Sequence, residues 1–552
     1  MNTGVKIGIV GACAAALAAT GIGAYGVVHE RTSGAAGGDE VTADSGLRAS
    51  PVTTSPPADA DAVRSARAFL DSWSDQRLQE AAGRTDAPTA AGGALEGYTQ
   101  GLHLRKLRFH HVRAAGPSAV TQGATRVTFD VTADVAGGTW TYRSALAVRR
   151  NRGGRVAVHW DKTVLHPGLG RDESLTAGDL PLDADAVQVV ASDGRTKLSS
   201  FPSLRAMAAT IRHNAKPTGG SGGTGVSAVG PGGKDARTLH VFTKGRPPVI
   251  RTTIDASLQA VAEKAVGDSH LRGKPTGAVA LDWRTGHILA VAHTGTDGDI
   301  AINGIKSPGS TMKIITSAAL FDQAGLTANS PAPCTGSVVA NSQRFHNDPG
   351  VRANPGATVA QAFTVSCNTS FIKEGFRHLV HDGDASALHA EAVNVFGMGS
   401  WSIGGGVATT DPSIPPDVRG GDQAAQFIGQ GKVTATPLFM ASVAATVRNG
   451  GFEQPVILPG QHQVSAPRPI SARTAGYLRS MMRDVAVRGT AAPRLASLVG
   501  VGAKTGTAEE ADHTNGWLTA YGSRIAAAAL VEGGRSGVDS AGYVVRRLLT
   551  AR

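Results

Sequence analysis

Three short motifs in a fixed order constrain this 552-residue chain more than anything else in it: Ser310-Thr-Met-Lys313, then Ser366-Cys-Asn368, then Lys504-Thr-Gly-Thr507. Any one of them arises by chance in a long protein. Together they specify a domain that gathers a serine, a lysine base and a second lysine for acyl transfer. The segment after Pro308-Gly309 reads as a helix, with Met312, Ile315, Ala319 and Leu320 as its apolar stripe. Residues i and i+3 share a helix face, so the Lys313 amine reaches the Ser310 hydroxyl. A serine hydroxyl is a weak nucleophile until a base takes its proton. Lysine is such a base only where burial and nearby positive charge favour its neutral form, and Lys504 supplies that charge. A helix N-terminus at Ser310 also favours developing negative charge.

The other two motifs complete a candidate site. Ser366 is expected on a loop facing Ser310, where its hydroxyl passes a proton from Lys313 to the leaving amine. Asn368 holds either the substrate backbone or Lys313. Lys504 to Thr507 reads as a strand whose edge pairs with an extended acyl chain. Gly506 leaves room for close approach to the backbone. The N–H groups of Thr507 and Ser310 are the candidate oxyanion hole. Lys504, Thr505 and Thr507 are expected to receive a substrate carboxylate.

With these motifs and their flanks, the chain resembles the class B penicillin-binding proteins over about residues 250–552. Thr276-Gly-Ala-Val-Ala-Leu-Asp-Trp-Arg-Thr-Gly-His-Ile-Leu-Ala290 is similar to the family's first strand pair, turning at Arg284-Thr-Gly286. Ile428-Gly-Gln-Gly-Lys-Val-Thr-Ala-Thr-Pro437, followed by a small-residue helix through Ala445, resembles the family's stretch between the second and third motifs. The resemblance implies a serine transpeptidase domain of β-lactamase-like fold, with a five-stranded antiparallel sheet flanked by helices. It implies D,D-transpeptidation of peptidoglycan stem peptides through an acyl-enzyme on Ser310, with β-lactams as imitators. No metal or organic cofactor is called for.

The rest of the chain reads as a multi-domain α/β and α+β protein with boundaries at 1–31, 32–60, 61–170, 171–250 and 251–552. Lys6 precedes an uncharged run from Ile7 to Val28, closed by His29-Glu30-Arg31. That run is just long enough for a transmembrane helix, and an uncleaved signal anchor is preferred over a cleavable signal peptide. Cys13 is read as a membrane-buried small residue, not a lipidation site. Residues 32–60 are a Ser/Thr/Pro/Gly/Asp-rich tether. The formal charge of +11, from 54 Lys and Arg against 43 Asp and Glu, is scattered and accompanied by no nucleic-acid motif. Attraction to an anionic wall or membrane surface is the milder reading.

From 61 to 170, apolar positions at helical spacing (Val63, Ala66, Phe69, Leu70, Trp73, Leu78) break at Trp73-Ser-Asp75. Strand-like runs follow at 104–112, 124–135, 139–148 and 155–165, the middle two turning at Gly137-Gly138. This α+β pattern, ending Val158-His-Trp-Asp-Lys-Thr-Val-Leu-His-Pro-Gly-Leu169, resembles the cone-shaped domain of the nuclear-transport-factor-2-like (NTF2-like) superfamily. That domain precedes the transpeptidase in class B proteins of the methicillin-resistance type. His103, His110, His111, His159 and His166 lack metal-ligand spacing and are read as surface or packed residues. Residues 171–250 depart from the family pattern. They read as a shortened pedestal with a helix candidate at 201–213 and a flexible Gly/Ser/Thr linker at 217–234, which is not a phosphate loop.

Cys334 and Cys367 are expected as separate buried thiols, with a disulfide bracing the active-site loop as the alternative. Other functions compete with transpeptidation on the same serine: a D,D-carboxypeptidase, a β-lactamase, or a sensor or scaffold of the division or elongation machinery. A class A β-lactamase requires a Glu-x-x-Leu-Asn loop, and Glu391-Ala-Val-Asn394 is only a poor imitation. No glycosyltransferase domain fits before residue 250, so a polymerising partner is implied.

Overall fold

The computed structural model describes residues 55–151, 153–180, 186–295, 298–510 and 512–551. The expected membrane anchor and nearly all of the expected tether lie outside these residues. Among the described residues no helix is long and apolar enough to cross a membrane.

Two separate apolar cores organise the chain from Pro56 onward. The first begins with helix Asp59–Ser74, whose stripe of Ala62, Ala66, Phe69, Leu70 and Trp73 is buried. The helix stops where Gln76 takes a positive φ of 59°, and Leu78–Gly83 follows as a short second helix. A third helix, Pro88–Gly101, was not legible in the sequence. Its Ala-Ala-Gly-Gly run has low helix propensity and blurs the apolar period, and burial of Leu95 and Tyr98 holds it. These helices cover a four-stranded antiparallel meander of Lys106–Pro117, Ala124–Val135, Gly138–Arg150 and Val156–His159. Along the second strand Val127, Phe129, Val131, Ala133 and Val135 alternate into the core, as period-two patterning requires. Its turn into the third strand carries Gly137 at φ 95°.

Residues 171–251 stitch the two cores together. Strands Ser174–Asp179, Thr224–Val229 and Arg237–Thr243 form a sheet that buries Leu175, Ala177, Val226 and Ala228 in the first core. Strand Gln188–Val190 pairs in parallel with Val249–Arg251. Helix Arg205–Asn214 buries Met207, Ala208 and Ile211 in the second core. The Gly-rich run at 217–234 therefore contains the central strand of a sheet, where a flexible linker was expected. A Cβ at Gly223 would lie 2.3 Å from the Thr243 carbonyl oxygen, and one at Gly225 would lie 2.2 Å from that of His240. These glycines permit close backbone approach; mobility is not their purpose.

The second core is built on a five-stranded antiparallel sheet in the order Ile288–Thr294, Thr276–Asp282, Ile525–Val531, Thr514–Tyr521, Gly502–Glu509. Helix Pro437–Asn449 packs against its central strands, and Ala256–Val266 and Ala541–Leu549 pack against the sheet and each other. Strand Ile525–Val531 is buried along its whole length, which fits its run of four alanines between helical layers. The strand carrying Lys504 lies at the sheet edge.

Candidate active site

Ser310 sits on a single 3₁₀ turn, Gly309–Met312, that leads into helix Lys313–Asp322. The turn is pinned from two sides. The Gly309 N–H donates to the Gly429 carbonyl at 3.0 Å, so the Ile428-Gly-Gln-Gly stretch anchors the Ser310 turn. On the other side the turn lies against the edge strand: a Cβ at Gly309, whose φ is 52°, would fall 2.3 Å from the Thr507 carbonyl oxygen. Gly506 likewise faces the Pro308 carbonyl, 2.7 Å from where its Cβ would be. Its free space is thus taken by the Ser310 turn, where room for a ligand was expected.

The structure brings Ser310, Lys313, Ser366, Asn368 and Lys504 into one buried cluster. The Lys313 amine lies 2.8 Å from Ser310 Oγ, 2.8 Å from the Ser366 carbonyl oxygen, 2.6 Å from Asn368 Oδ1 and 3.3 Å from Ser366 Oγ. Lys504 Nζ donates to Ser366 Oγ at 2.8 Å and to the Thr505 carbonyl at 2.9 Å. Ser366 is therefore the bridge between the two lysines. Its backbone adopts φ 59°, a conformation uncommon for a residue with a Cβ and one that concentrates at functional sites.

Burial, followed by the neighbouring Lys504 charge, holds the Lys313 amine well below the usual lysine range, against an opposing pull from Asp348. Burial also lowers Lys504, to about 7, again opposed by Asp348. A neutral amine has two hydrogens and one lone pair. The Ser366 carbonyl and Asn368 Oδ1 can only accept, so in the neutral form that burial favours they take both Lys313 hydrogens and leave its lone pair for the Ser310 O–H.

Asn368 is itself oriented. Its Nδ2 donates to Asp348 Oδ1 at 3.1 Å and to the His346 carbonyl at 3.3 Å, which turns Oδ1 toward Lys313. Asp348 was missed in the sequence, as was Thr490, whose hydroxyl lies 2.6 Å from that of Thr505. Neither belongs to a spaced motif, and Asn347-Asp348-Pro-Gly reads only as a turn.

Cys334 and Cys367 form a disulfide, with Cα atoms 6.0 Å apart. This corrects the expectation of separate thiols. The bond fastens the residue next to Ser366 to the loop ahead of strand Ser337–Ala340. Glu391 lies at the far end of helix Lys313–Asp322, paired with Arg468 at 2.8 Å and accepting from Gln323 at 2.9 Å. It is a structural acid remote from Ser310.

The family described as "Penicillin binding protein transpeptidase domain" matches residues 276–550, and the "NTF2-like N-terminal transpeptidase domain" matches residues 61–173. The peptidoglycan D,D-transpeptidase PbpA of Mycobacterium tuberculosis strain H37Rv is 31% identical over 363 residues, covering 55% of this chain and 72% of the relative. The chain belongs to the class B penicillin-binding proteins. The corresponding PbpA of Mycolicibacterium smegmatis is 29% identical over 375 residues, with the same coverage of 55% and 72%. Among solved penicillin-binding proteins, penicillin-binding protein A of Mycobacterium tuberculosis in a ceftriaxone acyl-enzyme complex is 24% identical. It covers 55% of this chain and 81% of that one, with a TM-score of 0.49. Penicillin-binding protein 2 of Helicobacter pylori shares the fold at 19% identity, covering 59% of this chain and 68% of that one, with a TM-score of 0.50.

Proposed function

We propose that this penicillin-binding protein is a peptidoglycan D,D-transpeptidase working through an acyl-enzyme on Ser310. The observation that carries the reading is the arrangement at Lys313, whose hydrogens are occupied by obligate acceptors while Ser310 Oγ lies 2.8 Å away. Lys313 takes the Ser310 proton as Oγ attacks the carbonyl of the penultimate D-Ala. The backbone N–H groups of Ser310 and Thr507 stabilise the oxyanion. Ser366, between the two lysines, returns the proton to the departing D-Ala amine. Lys504, with the Thr505 and Thr507 hydroxyls, receives the terminal carboxylate. An amine from a neighbouring stem then attacks the acyl-enzyme by the reverse path. The edge strand Gly502–Glu509 offers backbone groups to the extended stem peptide.

A β-lactam presents a strained amide and a carboxylate to the same groups, so it acylates Ser310. The position of Glu391 supports a transpeptidase over a class A β-lactamase, since no carboxylate of that motif reaches the serine. The reading places the catalytic domain outside the cytoplasmic membrane on a single anchor at Ile7–Val28, with a separate glycosyltransferase supplying glycan.

Intact-protein mass spectrometry of the detergent-solubilised chain with benzylpenicillin, beside Ser310→Ala, tests this. A long-lived adduct of full drug mass on the parent alone is the expected result. Turnover of the drug without a lasting adduct would move the protein to the β-lactamases. Labelling of the Ser310→Ala variant would overturn the site.

A further inference from the structure

The NTF2-like domain is electrically lopsided. Between Arg105 and Arg155 the sequence holds ten Lys and Arg residues against two Asp and no Glu. Strand alternation sends Val127, Phe129 and Val131 into the core and turns Arg126, Thr128 and Asp130 to the opposite face, with Ala147, Ala145 and Arg143 beside them on the next strand. That face forms an open cleft of about 970 Å³ with Arg126, Arg143, Arg149 and His159 in its walls, beside one carboxylate, Asp161. Two of the arginines are already partnered, Arg143 by Asp130 at 2.8 Å and Arg149 by Asp86 at 2.7 Å, and His159 also bonds Asp86 at 2.7 Å. Arg126 has no ion-pair partner among the described residues.

One rim of the cleft is the loop joining the first two strands of this sheet, residues 118–123, at whose tip Val120 is 96% exposed. Thr125, at the base of that loop, donates its hydroxyl to the Pro57 carbonyl at 2.6 Å. The chain therefore joins this domain at the same edge, and residues 29–56 lead back to the apolar run Ile7–Val28. An unpaired arginine, an excess of basic charge, a protruding valine and the point where the chain enters the domain at Pro57 converge on one edge.

We infer that this cleft docks on anionic phospholipid headgroups, with Arg126 reaching a phosphate and Val120 dipping into the interface. The inference rests on the membrane-anchored reading above. It is independent of Ser310 chemistry. Basic groups near an anionic leaflet are attracted within a Debye length, and a small apolar tip adds shallow burial.

The full-length protein in nanodiscs of pure phosphatidylcholine, and in discs containing phosphatidylglycerol, provides the test by hydrogen exchange of residues 117–124. Exchange is expected to be about fivefold slower on the anionic discs, the factor that one basic group near such a surface confers. The difference is expected to vanish at high salt and in Arg126→Glu or Val120→Asp. Benzylpenicillin acylation of both variants should match the parent, which shows that they fold and separates failure here from failure of the transpeptidase reading. Equal exchange on the two disc types, or a difference that survives Arg126→Glu, overturns the inference. So does a soluble poly(glycerol phosphate) that slows the loop equally on neutral discs, because the cleft would then serve an anionic polymer.

Discussion

Asn368 Nδ2 donates to Asp348 Oδ1 at 3.1 Å, and this one bond decides which end of the Asn368 amide meets Lys313. If the amide were reversed, its N–H groups would point at the lysine and force the amine to present its lone pair to them instead of to Ser310. Asp348→Asn can hold either amide orientation. It should slow benzylpenicillin acylation about tenfold or more, as expected when a reacting pair is loosened. Unchanged acylation kinetics in stopped-flow would remove Asp348 from the account.

The two lysines set a pH dependence. Lys504 is a cation below about 7 and neutral above it, so a carboxylate-bearing β-lactam loses its charged receptor as pH rises through that value. The second-order acylation rate should fall along a basic limb near 7. Lys504→Arg stays charged throughout and should lack that limb, even if its overall rate is lower. Since Asp348 opposes the lowering of Lys504, Asp348→Asn should move the limb to lower pH. A parent profile flat from pH 6 to 9 would contradict the assignment of Lys504 as the carboxylate receptor.

Gly309→Ala introduces a methyl group where only 2.3 Å separates it from the Thr507 carbonyl oxygen, at a positive φ. The turn must move off the strand and carry Ser310 with it. A misplacement near 1 Å costs about a hundredfold in rate, so acylation should fall by that order. A parent-like rate in a folded variant would show that the contact does not position the serine.

Replacing both Cys334 and Cys367 with serine opens a loop of 33 residues in sequence separation. Loop-closure entropy puts the lost stability at about 2–4 kcal/mol. Ser366, whose unusual backbone the bond helps hold, should also acylate more slowly. Thermal denaturation of the double variant and of the reduced parent reads the first effect, and penicillin labelling reads the second. Identical melting with and without the bond would show that it bears no load.

The grouping of the motif residues was readable in one dimension: Ser310 and Lys313 are three residues apart, so any helical turn places them together, and the ordered motifs pointed to Ser366 and Lys504 as their neighbours. Period-two and helical patterning were strong enough to outline the NTF2-like domain, because local propensity and burial agree there, and the strand pair around Arg284-Thr-Gly286 came from the family resemblance. Helix Pro88–Gly101 was illegible because Gly92 and Gly93 blur its apolar period, and the strand inside the glycine run at 217–234 because its glycines suggest flexibility until a neighbouring backbone is seen pressing on Gly223 and Gly225. Only the tertiary structure decided that Asp348 orients Asn368, that Gly506 admits the Ser310 turn, and that Cys334 meets Cys367. Each depends on the distance between segments remote in sequence, and no one-dimensional pattern encodes that distance.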